Sequence, residues 1–200
     1  MWLAAAALAA PQEPKPFSHK LHLKQVGDCG NCHTAANSEK ASDDLMPGTG
    51  SCAACHADVE IKKARATGIA KFSHKLHLAL GNPAKVLAAA IQSGAYLSPA
   101  GDAAKWLAAS TNACTSCHRG LDESDVVSRM AFPNMADCLV CHPKVDPPFS
   151  CGFCHEKGFT LRPATHTKDY LESHANKKAA LDKASCAVCH GRKFTCMGCH

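Results

Sequence analysis

Apolar positions along this chain come in short, interrupted groups. The clearest helical stretch is Pro83-Ala84-Lys85-Val86-Leu87-Ala88-Ala89-Ala90-Ile91-Gln92, preceded by Asn82 and stopped at Gly94. A polar cap, an opening proline and a closing glycine are the order in which helices begin and end. Gly101 to Ser110, with Trp106 and Leu107, predicts a second helix, Lys168 to Lys183 a third and Asp58 to Ala66 a short fourth. Pro143-Lys144-Val145-Asp146-Pro147-Pro148 reads as a tight connector. The pattern therefore predicts a mainly helical and irregular chain with little regular secondary structure and no sizeable sheet. The stretch from Ala79 to Ala113 contains no His or Cys. It is a packing insertion or a partner-docking surface, with packing the favoured reading.

One segment repeats without change. Phe17-Ser18-His19-Lys20-Leu21-His22-Leu23 recurs as Phe72-Ser73-His74-Lys75-Leu76-His77-Leu78.

The chemistry lies in the cysteines. All 14 fall into C-x-x-C-H pentapeptides. These are Cys29, Cys32 and His33; Cys52, Cys55 and His56; Cys114, Cys117 and His118; Cys138, Cys141 and His142; Cys151, Cys154 and His155; Cys186, Cys189 and His190; and Cys196, Cys199 and His200. This is the attachment signature of haem c. Two thiols add across the vinyl groups on one porphyrin edge, and the next residue's imidazole swings under the ring to the iron. Structural zinc uses paired C-x-x-C, a thioredoxin-like site uses one, and disulfides need neither spacing. None of these requires a histidine after the second cysteine every time.

Seven haems change the reading of composition. The 46% hydrophobic content is swollen by Ala and Cys, and aromatics are only 6%. Too little bulky side chain remains for a conventional core, so the porphyrins must be the core, and the apoprotein should be largely unfolded. Two-haem, three-haem and two-haem modules are expected over residues 11–70, 71–160 and 161–200. A ferric haem with two ionised propionates carries about −1, so seven turn the formal charge of +5 to about −2, and to about −9 when reduced. The basic balance therefore does not point to nucleic acid.

Residues 1–10 include an apolar run from Trp2 to Ala10 with Ala7-Leu8-Ala9 as a small-x-small cleavage site. They are expected to be a signal-peptide remnant, although a basic start is missing. Attachment of this kind takes place beyond the cytoplasmic membrane, so a periplasmic or outer-surface location is expected.

Of 13 histidines, seven are proximal by motif: His33, His56, His118, His142, His155, His190 and His200. The others, His19, His22, His74, His77, His166 and His174, form three pairs beside the motifs and are read as sixth ligands. Within each repeat the two histidines sit three apart, neighbours on a helical turn. They cannot bind opposite faces of one iron, so each should serve a different haem.

Phe-x-His-x-x-His ahead of a C-x-x-C-H, with the spacing of Cys114, Cys138 and Cys151, resembles the class III multihaem cytochromes c, the tetrahaem type and its trihaem relatives. The resemblance covers Phe17–His56 in part and Phe72–His155 more fully. It implies that His19 serves the first haem, His74 the third, His77 the fifth, and His22 a haem other than the first. That family places a histidine shortly before the middle motif, where this chain has Gly48 and Asn134. With six spare histidines for seven irons, the fourth haem is expected to lack one. Met135 is the preferred substitute, ahead of Met130, with Met46 before the second motif as the rival candidate.

Bis-histidine iron exchanges electrons and little else. The expected function is electron transfer along closely packed haems, with no catalytic residues. Partners would be a membrane quinol-oxidising complex and a terminal reductase or extracellular acceptor. The alternatives are a multihaem reductase of a small oxyanion, which needs an open iron and an acid/base group, and a subunit of an extracellular haem filament.

Overall fold

Why each repeat folds as it does is visible in its own residues. The computed structural model describes residues 16–57, 59–61, 68–142, 150–162, 166–170, 172 and 183–190. In chain order its helices are α1 (His19–Val26), α2 (Gly50–Ala53), α3 (His74–Ala79), α4 (Ala84–Gln92), α5 (Ala103–Ala109), α6 (Ala113–Cys117), α7 (Met135–Cys141) and α8 (Lys183–His190). The repeated heptapeptides open α1 and α3. Ser18 and Ser73 stand at the N-caps with extended backbone, and their hydroxyls accept the Leu21 and Leu76 N–H groups. This satisfies donors that a helix start otherwise leaves open.

Among the described residues there is no sheet, only an isolated antiparallel bridge between Ile69 and His155. The fold is thus helical and irregular, as the sequence pattern implies. No helix among the described residues is long and apolar enough to cross a membrane. The helix expected from Pro83 is α4, where Asn82 Oδ1 accepts the Ala84 N–H at 3.0 Å and Gly94 exits with φ +69°. The second is α5, which starts at Ala103 because Gly101 still has φ +48°. Of the other two expected helices, 171 and 173–182 of the one from Lys168 and 58 and 62–66 of the one from Asp58 lie outside the described residues, and residues 59–61 of the latter are not helical. So do the expected connector at 143–148 and the apolar run at 1–10.

The small protein core is built by the insertion between the second repeat and its first motif. Ala84, Leu87 and Leu107 are buried together, with Ala88, Ile91 and Val140 packed against them. This seats α4 and α5 on α7, the helix carrying Cys138 and Cys141. Polar groups fasten the same joint. The Tyr96 hydroxyl donates to Asp137 at 2.8 Å, Asp137 accepts the Asn134 N–H at 2.9 Å to complete a capping box, and Arg119 pairs with Asp137. Asp137 is only 6% exposed, so its charge depends on these partners. Large apolar side chains elsewhere remain exposed, among them Phe17, Leu21, Leu76 and Phe153.

The two repeats dock on each other reciprocally. The Lys20 N–H donates to the Ser124 carbonyl at 3.1 Å, and Lys20 Nζ lies 3.5 Å from Glu123. The Lys75 N–H donates to the Ser38 carbonyl at 2.9 Å, and Lys75 Nζ lies 2.5 Å from Glu39. Each repeat helix thus reaches the loop just past the first C-x-x-C-H of the other repeat.

Candidate haem-binding site

In every described motif up to the fifth, the pentapeptide closes one helical turn. The histidine N–H donates to the carbonyl of the first cysteine: His33 to Cys29 at 2.9 Å, His56 to Cys52 at 2.9 Å, His118 to Cys114 at 2.8 Å, His142 to Cys138 at 3.0 Å and His155 to Cys151 at 3.0 Å. The sixth motif sits inside α8. A closed turn sets both thiols at one end and throws the imidazole outward, as attachment along one porphyrin edge requires.

The second cysteine of a motif is drawn into the same turn. The Cys32 N–H donates to the Cys29 carbonyl at 3.2 Å, the Cys55 N–H to the Cys52 carbonyl at 3.0 Å, and the Cys154 N–H to the Cys151 carbonyl at 3.3 Å. Cys32 and Cys55, both expected as haem attachment points, stand as free cysteines in no disulfide. Their settings differ, with Cys32 half-buried and Cys55 exposed, as Cys141 and Cys189 also are. An exposed thiol on a closed turn is open to an incoming vinyl group.

Local capping explains why these turns form. The Asp28 carboxylate accepts the Gly30 N–H at 2.7 Å, Asn112 accepts the Thr115 N–H at 3.0 Å, and Asn134 accepts the Ala136 N–H at 2.9 Å.

Ring orientation is fixed through Nδ1. His33 Nδ1 bonds the Leu45 carbonyl at 2.9 Å, His118 Nδ1 the Ala131 carbonyl at 3.1 Å, and His155 Nδ1 the Gly68 carbonyl at 3.3 Å. His22 and His77 bond the Ser18 and Ser73 carbonyls at 2.7 and 2.8 Å. A carbonyl can only accept, so Nδ1 carries the proton and Nε2 keeps its lone pair for a metal. Nδ1 of His19 and of His74 are buried with no hydrogen-bond partner.

Four pairs of imidazoles face each other across a common gap. Ring centroids are 6.4 Å apart for His19 and His33, 6.1 Å for His22 and His56, 6.3 Å for His77 and His142, and 6.4 Å for His166 and His190. Two rings on opposite sides of one metal, with bonds of about 2 Å and roughly 1 Å more from each nitrogen to its ring centre, are separated by about 6 Å. The gap is the width of one metal ion held from both sides, and the donor set fits haem iron.

Phe17 and Phe72 hold the distal rings. Phe17 stacks on His22 at 4.2 Å and meets His19 edge-on at 4.9 Å; Phe72 does the same to His77 at 4.4 Å and His74 at 4.7 Å. The sequence reading assigned no role to these rings, although their unchanged place in both repeats was the available signal.

The electrostatics favour neutral ligands. Burial lowers the pKa of His19, helped by the neighbouring His33, His22 and His118. Burial also lowers His74, followed by His118 and His77. It lowers His118 too, partly offset by the bond to the Ala131 carbonyl. Crowding by surrounding chain, then Asp137, Cys154 and Cys117, pushes the Cys138 thiol up to about 11, although the residue keeps exposed surface. Surrounding chain, then Cys151 and Cys186, raises the Cys189 thiol in the same way.

The structure redistributes two sequence assignments. His77 faces His142 of the fourth motif, whereas the resemblance sent it to the fifth. Met135, the substitute expected at the fourth motif, opens α7 half-buried beside a site that already has an imidazole opposite. Met130 is 83% exposed. The cause is the second repeat's likeness to the first: Ala131 precedes Cys138 as Leu45 precedes Cys52, and each carbonyl holds the preceding proximal histidine. The fourth motif is therefore the counterpart of the second, and His77 the counterpart of His22. His174, Cys196, Cys199 and His200 lie outside the described residues.

The family described as cytochrome c7 and related cytochrome c matches residues 15–69, the first repeat with its two motifs. A curated protein of Nitratidesulfovibrio vulgaris, named menaquinone reductase, multiheme cytochrome c subunit, is 39% identical over 61 residues, which span 29% of this chain and 28% of that protein. No solved structure matches the chain.

Proposed function

We propose that this multihaem cytochrome c, an electron-transfer protein, carries seven covalent haems c and relays electrons along them outside the cytoplasm. The four facing imidazole pairs carry the reading, because their common separation suits one iron held from both sides. On this reading His19 works with His33, His22 with His56, His77 with His142, and His166 with His190. His74, which stands in the second repeat where His19 stands in the first, would serve His118. When bound, the haems supply one-electron exchange at iron. The chain orients His22, His33, His77, His118 and His155 through Nδ1 and stacks Phe17 and Phe72 on His22 and His77, and the paired imidazoles would hold iron from both sides. An iron held by two imidazoles would have no place for substrate, which favours a carrier over a catalyst.

The relative's name supports a partner of one kind: a membrane complex that exchanges electrons with a quinone or quinol. A reductase or extracellular acceptor would stand at the other end. Intact-mass measurement on denatured protein made with a competent export and maturation system tests the reading. Seven haems should remain attached. Fewer than six would sink it.

A further inference from the structure

We propose that the cofactors of the two repeats lie in a single row, in the order second, first, third, fourth, and that electrons pass between the repeats only from the first site to the third. The inference rests on the haem reading above and adds the arrangement in space.

Three sets of contacts fix the order. Within the first repeat, His19 and His22 occupy one turn of α1 but face different proximal rings, His33 and His56. The first and second sites are therefore held by a single helical turn. In the second repeat His77 faces His142, and His74 stands where His19 stands in the first, ahead of the motif that ends at His118, so α3 joins the fourth and third sites in the same way. Between repeats, the two lysines that follow His19 and His74 clamp the loops just past His118 and His33. Ser18 adds a hydroxyl donated to Asp125 at 2.6 Å.

Those clamps set α1, which carries His19, against the loop past His118, and α3, which carries His74, against the loop past His33, so the first site faces the third. The second and fourth sites are the outer members. The fifth motif is anchored to the second repeat by Ala70 N–H to the Cys154 carbonyl at 2.8 Å, two residues before the heptapeptide.

The invariance of lysine between the two heptapeptides then has a reason beyond ligation. It is the residue that brings two central haems together, and each copy does so for the other. An electron crossing there leaves one iron oxidised and the next reduced by one charge, with no bond made or broken and no proton moved. The electrons come singly from the quinol-oxidising partner proposed above.

Zero-length carbodiimide coupling of the haem-loaded full chain tests the clamp without any substitution. Peptide mapping should recover Lys20 joined to Glu123 and Lys75 joined to Glu39, each with the loss of one water. Two-dimensional NMR of the fully reduced, diamagnetic protein tests the row. Haem resonances are assigned by their loss in variants lacking one pair of attachment cysteines. Methyl cross-peaks should link first with second, first with third, and third with fourth. A second-to-fourth or second-to-third cross-peak without a first-to-third one overturns the order. So does failure of both cross-links in protein that carries its full haem complement. A low haem count by mass counts against the proposed function instead, so the two failures are distinguishable.

Discussion

His77 and His142 face each other with ring centroids 6.3 Å apart and planes tilted by 45°, although the second repeat and the fourth motif are separated by the whole α4–α5 insertion. His77→Ala should therefore convert the fourth haem, at Cys138 and Cys141, to a high-spin or altered-potential species and leave the fifth low-spin. Met135→Leu should change no axial ligand. Near-infrared magnetic circular dichroism of each oxidised variant reads both outcomes; a lost sulfur-to-iron band in Met135→Leu would falsify the pairing.

Asp137 is a buried charge on which the insertion, through Tyr96, and the fourth motif meet. Removing it as Asp137→Ala leaves the Arg119 guanidinium buried without its partner and breaks the capping box of α7. The expected cost is about 3 kcal/mol. Tyr96→Phe removes one donor of several and should cost about 1 kcal/mol. Denaturant unfolding of the holoproteins, followed by loss of low-spin haem absorbance, measures both. Equal effects would mean that the charge pair is not what holds the joint.

Gly68 has φ +69°, and a Cβ there would meet the Phe159 ring at 2.4 Å. Its carbonyl accepts both His155 Nδ1 and the Glu156 N–H. Gly68→Ala must strain the left-handed backbone, at about 1–2 kcal/mol, and displace Phe159. The damage should centre on the fifth haem. An altered signal from that haem, with the first and second unchanged, is the expected electron paramagnetic resonance result.

The motifs, the repeated heptapeptide and the two central helices could be read directly from the sequence because each depends on neighbours a few residues away. Ser18 caps its own helix and Pro83 opens its own. The pairing of imidazoles depends on how distant segments dock, and that is set by Lys20 and Lys75 reaching across to Glu123 and Glu39. Nothing local to either lysine announces its target. The signal that was present lay in comparing the repeats beyond the heptapeptide: Pro47 stands before Cys52 as Pro133 stands before Cys138, which marks the fourth motif as the second one's equivalent. The insertion hid that register, since it lengthens the path from α3 to Cys114. Tyr96, Asp137 and Arg119 were equally hidden, because a buried charge is recognised only by the partners that surround it.

One iron is expected to have no histidine from this chain on its far side, and it is the fifth or the seventh. The sequence has 13 histidines, and the seven motifs use one each. Of the six remaining, His19, His22, His77 and His166 face the proximal rings of the first, second, fourth and sixth motifs, and His74, the counterpart of His19 in the second repeat, is assigned to His118 of the third. His174 alone is left for two irons. Among the described residues no imidazole ring stacks across from His155, and an imidazole cannot bind two irons through Nε2 at once. The oxidised protein should therefore show six bis-histidine haems and one of another kind, high-spin or ligated by a different donor. His174→Ala should raise the number of such haems from one to two. Binding of carbon monoxide to the reduced protein counts accessible irons independently, and a wild-type protein with seven bis-histidine signals and no carbon monoxide binding would show that a histidine from outside this chain completes the set.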